Sequence, residues 1–306
     1  MAGRGELPSR FRRPMAAIFA DTGWEPSRVY AHLQWLIQTL GPALPVHVVR
    51  AMRPDGKPAH IREDSEAIVH GETARLANPP LFVKESIEYT PYLDAAQQAK
   101  FTAHLLRRGE IPRFVTMPVF AREFTGGRPV MLRRQCTGDY KLEPICRFCR
   151  PLIGRRRGQR HTTPPFCEMW IGISTEENAK RCKPSREGWV TNRYPLRELG
   201  MTRSECERWL WDHYQVVAPK SACIGCPFHD DRYWLDLQQR SPEEFEEACR
   251  FDETIRQLPG VKGECFLHSS CVPLRQIDFT RTRGERRALG RGQALLFDGG
   301  EGVCSL

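Results

Sequence analysis

The sequence predicts an α/β protein in which helices join parallel strands. Two apolar runs, residues 15–20 and 46–50, have the composition of buried strands. Between them, an amphipathic stretch opens at Pro26 and ends before Gly41, as helices commonly do. A strand, a helix and a strand in this order form a βαβ unit, whose two strands are parallel because the helix crosses back over the sheet.

The later elements follow from weaker periodicity and from capping signals. Thr202 and Glu205 have the spacing of a capping box, which predicts the start of a helix. The stretch Ser174–Glu177 places acidic residues in a first turn and predicts another helix start. Further helices are predicted over residues 64–76, 95–108, 144–157, 202–214, 233–239 and 242–257, and strands over residues 114–117 and 167–173.

Length and composition suit one large α/β domain or two small ones, with 306 residues of which 40% are hydrophobic. The chain has no apolar run of membrane-spanning length and no apolar signal core at its N-terminus, so we expect a cytoplasmic protein without a membrane partner. Twelve cysteines in such a protein argue against a disulfide framework and favour metal or redox chemistry. The net charge of +9 favours an anionic partner, although solvated arginines explain it equally well.

The cysteine pair Cys223 and Cys226 has the spacing of a metal ligand pair, an iron–sulfur ligand pair or a redox pair. Gly225 frees the backbone between the two sulfurs, and His229 follows as a neighbour of the site or as a helix cap. A second pair, Cys146 and Cys149, has the same spacing. Together the two pairs could hold a tetrahedral zinc ion, or Cys146 and Cys149 could be two packed thiols on an ordinary helix.

Two other groups of residues are candidates for ligand binding. Asp21, Thr22 and Gly23 follow the first predicted strand, where α/β sheets place their ligands, and Asp21 could bind a ribose hydroxyl or a metal, although the same residues also suit a simple turn. Three cations that could hold phosphate or sulfate, or form a solvated loop, are Lys183, Arg186 and Arg193.

Four stretches in this order resemble the phosphoadenosine phosphosulfate (PAPS) reductase family, within the adenine nucleotide alpha hydrolase or PP-loop ATP pyrophosphatase superfamily. They are Ile18–Glu25, Arg134–Pro144, Tyr194–Thr202 and Cys223–Pro227. The resemblance covers most of residues 15–280 and is nearest to an uncharacterised phage and actinobacterial branch. Residues 281–306 form a basic linker and a tail that contains Cys304.

The resemblance implies a Rossmann-like twisted parallel sheet with helices on both faces and an adenine nucleotide, ATP or PAPS, across its carboxyl edge. Asp21, Thr22 and Gly23 would contact the nucleotide. A [4Fe–4S] cluster would be held by Cys136, Cys223, Cys226 and a fourth ligand, either Cys304 or Cys271; Cys304 could instead be the nucleophile. The implied reaction is sulfonucleotide reduction with a reductant protein, or ATP-dependent sulfur transfer to a substrate that could be nucleic acid.

One feature of the superfamily is missing from the start of the chain. A Ser-Gly-Gly phosphate loop should precede Asp21, and residues 1–14 contain neither this loop nor a strand before it. We expect the loop and first strand either to lie upstream of Met1 or to be lost. The rival hypothesis is therefore a non-catalytic, zinc-stabilised nucleic-acid-binding protein. Its basic runs, residues 155–161 and 281–291, lack the interleaved aromatic residues that single-stranded recognition uses.

Overall fold

The protein is described here by a computed structural model covering residues 1–41, 43–52, 58–69, 82–84, 117–124, 127–132, 136–156, 158–258 and 261–281. Within these ranges the chain is a mixed α/β protein with small parallel and antiparallel sheets. The predicted helix over residues 95–108, most of the predicted strand over 114–117, the basic linker beyond residue 281 and Cys304 lie outside the described residues.

The predicted βαβ unit is confirmed. Strand β1 (Ala17–Ala20) pairs in parallel with β2 (Val46–Arg50), and helix α1 (Ser27–Leu40) connects them. Strand β3 (Phe82–Lys84) adds antiparallel to the other side of β2. The carboxyl end of β1 therefore opens directly into the loop that begins at Asp21.

The remaining strands form two more small sheets. Strand β4 (Phe120–Arg122) lies between β5 (Val130–Met131) and β8 (Glu264–Phe266), and both pairings are antiparallel. Strand β6 (Cys167–Trp170) pairs in parallel with β7 (Val190–Arg193). In the described part of the chain, parallel pairing is thus divided between two sheets, whereas the sequence analysis expected one sheet.

The helices agree with the predictions in most places. A π-helical turn (Thr137–Leu142) runs into α3 (Glu143–Leu152). The other helices are α2 (Ile61–Val69), α4 (Pro195–Glu198), α5 (Arg203–Tyr214), α6 (Asp231–Arg240) and α7 (Pro242–Thr254), with short 3-10 turns at Ala2–Arg4, Ala179–Arg181 and Leu274–Gln276. Thr202 and Glu205 form the predicted capping box of α5. None of the described helices has the length and apolar character needed to cross a membrane.

Several predicted boundaries are wrong. Strand β6 ends at Trp170 and not at residue 173, and helix α7 ends at Thr254 and not at residue 257. The stretch Ser174–Glu177 forms a turn, because the Arg197 guanidinium binds the carbonyls of Ser174 and Glu177 that a helix would need for its own bonds. Helix α3 ends at Leu152 and does not reach residue 157. Beyond it, Gly154 takes a positive φ of 71° and the chain turns.

The largest hydrophobic core lies around α6 and α7 and supports the loop that contains Cys223. Trp234 and Leu237 from α6 and Phe251 from α7 are almost completely buried in it. Burying one such side chain contributes about 1.5–3 kcal/mol to the free energy of folding. Trp24, in the loop after β1, packs edge-on against Phe251 with ring centroids 4.9 Å apart. The same core thus anchors both the β1 loop and the cysteine loop.

Candidate functional site

Two loops that are two hundred residues apart in sequence meet at the carboxyl end of β1. We call this contact, between residues 21–25 and residues 223–226, the loop junction. The Ile224 amide donates to the Trp24 carbonyl at 2.8 Å, and Thr22 Oγ1 lies 3.2 Å from Cys223 Sγ. A Cβ on Gly225 would lie 2.3 Å from the Trp24 ring, so only glycine allows this close approach. The structure thus brings together two of the motifs that the sequence singled out.

Asp21 is buried and holds the β1 loop in shape. Its Oδ1 accepts hydrogen bonds from the Gly23 amide at 2.7 Å and from the Tyr30 hydroxyl at 2.9 Å, while Oδ2 accepts from Arg50 Nε at 2.7 Å. Gly23 has a φ of 82°, as the turn requires. Both carboxylate oxygens therefore have partners within the protein, which supports the turn interpretation of this residue.

Glu25 is the residue of the loop junction that the sequence analysis missed. Its side chain is fully buried, and Oε1 accepts from Thr22 Oγ1 at 3.1 Å and lies 4.0 Å from Cys223 Sγ. Burial raises the pKa of Glu25, and Lys141, with Nζ 3.9 Å from Oε1, opposes that shift. Oε2 has no hydrogen-bond partner among the described residues. A signal existed in the sequence, since Glu25 ends the motif that begins at Ile18.

Cys136 approaches the loop junction from the start of the π-helical turn. It packs against the same core as Cys223 and Cys226 and lies near enough to Cys226 to contribute to the raised pKa of that thiol. The turn is fixed by Tyr140, which is fully buried and donates its hydroxyl proton to Asp64 at 2.5 Å. The three cysteines that the resemblance implied as ligands thus lie in one region.

The Cys223 and Cys226 thiols are protonated near neutral pH. Burial raises the pKa of Cys226 to about 11, and it also raises the pKa of Cys223. Metals and iron–sulfur clusters bind thiolates, so loading such a group here would release protons. The donor set fits a thiolate-bound group by its chemistry. In the described ranges, however, no three Cys, His, Asp or Glu side chains are arranged to hold a metal ion.

The two candidate fourth ligands are Cys304 and Cys271. Cys304 lies outside the described residues. Cys271 is fully buried, has a φ of 52°, and has Cys265, Arg122, Arg256 and Asp252 as its electrostatic neighbours. Cys271 thus lies in the core near β8 and α7.

His229 holds the cysteine loop through a hydrogen bond to the Cys223 carbonyl. The ring is buried, and burial lowers its pKa to about 3, so the imidazole is neutral. Its Nε2 lies 2.8 Å from the Cys223 carbonyl oxygen, which can only accept, so Nε2 carries the proton. His229 is not the helix cap. The N-cap of α6 is Asp230, whose carboxylate accepts a hydrogen bond from the Tyr233 amide.

Cys146 and Cys149 lie in a different cluster from Cys223 and Cys226. They project from α3 beneath the buried Trp189, beside Cys167 at the start of β6. The Cys149 thiol donates to Cys167, which lowers the pKa of Cys167 and raises that of Cys149. We call Cys146, Cys149 and Cys167 the second thiol cluster. The zinc hypothesis combined its pair with Cys223 and Cys226, and the structure places the two pairs in separate clusters.

The three cations predicted to bind phosphate lie around β7. Lys183 is exposed, and its carbonyl accepts from Asn192 Nδ2 and from the Tyr194 hydroxyl. Arg186 is also exposed. The Arg193 guanidinium binds Glu198 through two nitrogens, each at 2.9 Å, and lies over the Phe11 ring. A phosphate at Arg193 would have to displace Glu198.

Most of the first basic run is a structural loop. Arg155 is buried and donates to the carbonyls of Gln159, Arg160, Thr163 and Pro165. Arg155 is therefore not available to a nucleic acid, whereas Arg156, Arg160 and His161 are exposed.

Comparison of the chain with protein-family models, with curated proteins and with solved structures found no match.

Proposed function

We propose that this chain is a PAPS reductase-like, adenine-nucleotide-binding protein of the cytoplasm, built on a Rossmann-like sheet. Its reaction class is sulfonucleotide reduction or ATP-dependent sulfur transfer, and Cys136, Cys223, Cys226 and Cys304 would hold a [4Fe–4S] cluster. The observation that carries the proposal is the loop junction. The residues that would contact a nucleotide and the residues that would hold a cluster meet there, although they lie in distant parts of the sequence.

Lys141 is a group at the loop junction that favours thiolates. A bound cluster would position the substrate and tune the local field. Lys141 already places an ammonium group 3.9 Å from Glu25 and opposes the raised pKa of both Cys223 and Cys226. Glu25 is a buried carboxyl group with a raised pKa, so it can hold a proton next to the Cys223 thiol.

The nucleotide part of the proposal assigns Gly23 to the nucleotide and Lys183 and Arg186 to its anionic groups. Thr22 is buried with its hydroxyl on Glu25, so it would act by holding the loop. Asp21 would act by shaping the loop, since Arg50 and Tyr30 occupy its oxygens. Lys183 and Arg186 are exposed, so both can change without disturbing the core.

Calorimetric titration with ATP and with PAPS tests this part, with GTP as the control nucleotide. We expect the protein to bind an adenine nucleotide, and the double variant Lys183→Ala, Arg186→Ala to bind it about tenfold or more weakly because two phosphate partners are lost. Lys262→Ala removes an exposed cation elsewhere and should bind as the unchanged protein does. A folded protein that binds neither ATP nor PAPS would contradict the proposal.

A further inference from the structure

A groove between α1 and α6 combines aromatic and cationic side chains. Its volume is about 600 Å³, and the segment that follows α5, residues 215–220, closes its third side. Helix α1 contributes Arg28, His32 and Trp35, which are spaced along one helical face. The remaining lining residues are Val216, Val217, Pro219, Lys220, Tyr233, Asp236 and Arg240. Residues from three separate parts of the sequence therefore form this surface.

The aromatic rings of the groove continue onto the neighbouring surface. The rings of His32 and Trp35 stack with centroids 5.2 Å apart and an interplanar angle of 25°. Trp35 in turn meets the Tyr214 ring edge-on at 5.3 Å, and Trp209 and His213 of α5 stack at 4.2 Å beside Tyr214. These rings form a continuous series on which flat aromatic groups of a ligand can stack.

The charges of the groove favour an anionic ligand. Among the described lining residues, three are cations, Arg28, Lys220 and Arg240, and Asp236 is a carboxylate. Arg28 and Lys220 lie over the Tyr233 ring, at 5.3 and 5.5 Å from its centroid. Asp236 pairs with Arg28 and also with Arg240, whose Nε lies 2.8 Å from Oδ1. The excess of positive charge therefore lies beside exposed apolar surface, since Val217 is 73% exposed.

We propose that the α1–α6 groove binds single-stranded nucleic acid. Unpaired bases would stack on the aromatic series, and the phosphates between them would contact Lys220 and Arg240. A duplex offers its phosphates but keeps its bases stacked on one another, so it would leave the aromatic rings unused. The basic runs of the sequence lack aromatic residues, whereas the fold places cations and rings together at this groove.

The groove borders the loop junction but does not share its ligands. The Tyr233 ring stacks face to face on His229 with centroids 3.5 Å apart, and His229 binds the Cys223 carbonyl. Lys220 is also near enough to Cys226 to lower the pKa of that thiol. A bound strand would thus lie next to the cysteine loop. The proposal does not depend on the proposed function, because binding needs neither a nucleotide nor a cluster.

Fluorescence anisotropy with a labelled oligothymidine of about 12 nucleotides tests the proposal on the full chain at low salt. We expect binding that weakens as salt increases, because phosphate contacts release counterions. Val217→Glu places a negative charge in the groove at an exposed position and should weaken binding about tenfold or more. Val130→Glu makes the same change at another exposed valine, 62% exposed on β5, and should leave binding unchanged.

A second variant tests the stacking contribution. Trp35→Ala should weaken binding about fivefold to 100-fold, through the loss of one stacked base. Thermal unfolding of both groove variants shows whether they stay folded. If Trp35→Ala does not fold, Val217→Glu alone still tests the proposal. Absence of binding by the unchanged protein would overturn the proposal. Equal binding by Val217→Glu and Val130→Glu, or equal affinity for a duplex of the same length, would also overturn it.

Discussion

The loop junction and the second thiol cluster each contain a Cys-x-x-Cys pair with a third cysteine close by, Cys136 beside the loop junction and Cys167 in the second thiol cluster. Their surroundings differ. Around Cys223 lie a hydroxyl, a carboxyl and an ammonium group, from Thr22, Glu25 and Lys141. Cys146 and Cys149 pack instead with Trp189 and Val190, and with aliphatic side chains of β1 and α3.

This difference shows that cysteine spacing alone does not identify a functional site. Burial raises the pKa of Cys146 to about 12 and that of Cys226 to about 11, so the spacing and the pKa values look alike in the two places. What distinguishes the loop junction is the hydroxyl and the carboxyl group in direct contact with the Cys223 thiol, together with its position at the carboxyl end of β1. Charged groups also act on Cys146, namely Glu187, Glu143 and Arg150, so charge alone does not separate the two places. The proposed function places its chemistry at the loop junction, and we propose a packing role for the second thiol cluster.

The largest expected effect is on stability, at the second thiol cluster. Trp189 is 1% exposed, and Trp189→Ala should lower the free energy of unfolding by about 3–5 kcal/mol because it leaves a cavity beside Cys146 and Cys149. Urea unfolding measures this loss. Trp211→Ala is the control, since Trp211 is 55% exposed and its removal should change the free energy by less than about 0.5 kcal/mol. Similar losses in the two variants would show that Trp189 does not organise this cluster.

The next effect concerns the close approach within the loop junction. Gly225→Ala should lower the free energy of unfolding by about 1–3 kcal/mol, because its Cβ would overlap the buried Trp24 ring. Gly172→Ala provides a matched control, since a Cβ there would meet only Leu196 Cδ1, at 3.9 Å. Thermal unfolding of both variants tests the geometry, and a Gly225→Ala protein as stable as Gly172→Ala would contradict it.

A smaller effect is expected at the hydroxyl between Cys223 and Glu25. Thr22→Val keeps the shape of the side chain but removes the hydrogen bond to Glu25 and the contact with Cys223, at a cost of about 1 kcal/mol. The same contact lowers the pKa of Cys223, so the variant should also have a less acidic thiol. Thr22→Ser retains the hydroxyl and should remain close to the unchanged protein in urea unfolding. If the serine variant lost more stability than the valine variant, the hydroxyl would not be the stabilising group.

The smallest effect is a dependence of stability on pH that does not involve the loop junction. His47 on β2 is buried against Phe148, and burial lowers its pKa below the ordinary 6.5. As the pH falls through 6.5, the unfolded chain takes up a proton at His47 before the folded chain does, so stability decreases. In the His47→Gln variant, stability should decrease less between pH 7.5 and pH 5.5. Thermal unfolding at about half-unit pH steps measures this difference. An unchanged profile would show that His47 does not contribute.

Local patterns in the sequence predicted the elements that depend on local interactions. The βαβ unit at β1, α1 and β2, and the capping box of Thr202 and Glu205, follow from periodicity and hydrogen bonding within a few residues. The turn at Ser174–Glu177 was predicted as a helix start, because the interaction that prevents a helix comes from Arg197, more than twenty residues away.

The candidate site was predictable in its motifs but not in its contacts. Cys-x-x-Cys spacing and the stretch after β1 identified Thr22, Cys223 and Cys226, and the structure brings them together. Glu25 became visible as a site residue only when the fold buried it beside Cys223. The separation of Cys146 and Cys149 from Cys223 likewise depends on which core each loop packs into, and spacing carries no information about that.

The contrast between the two thiol regions is tested most directly by the content of iron, zinc and acid-labile sulfide per chain. The protein is purified without oxygen, together with the variants Cys223→Ser and Cys149→Ser. We predict about four irons and four sulfides in the unchanged protein and in Cys149→Ser, and their loss in Cys223→Ser. Zinc without sulfide, a metal-free chain, or loss of iron only in Cys149→Ser would contradict the assignment of the cluster to the loop junction.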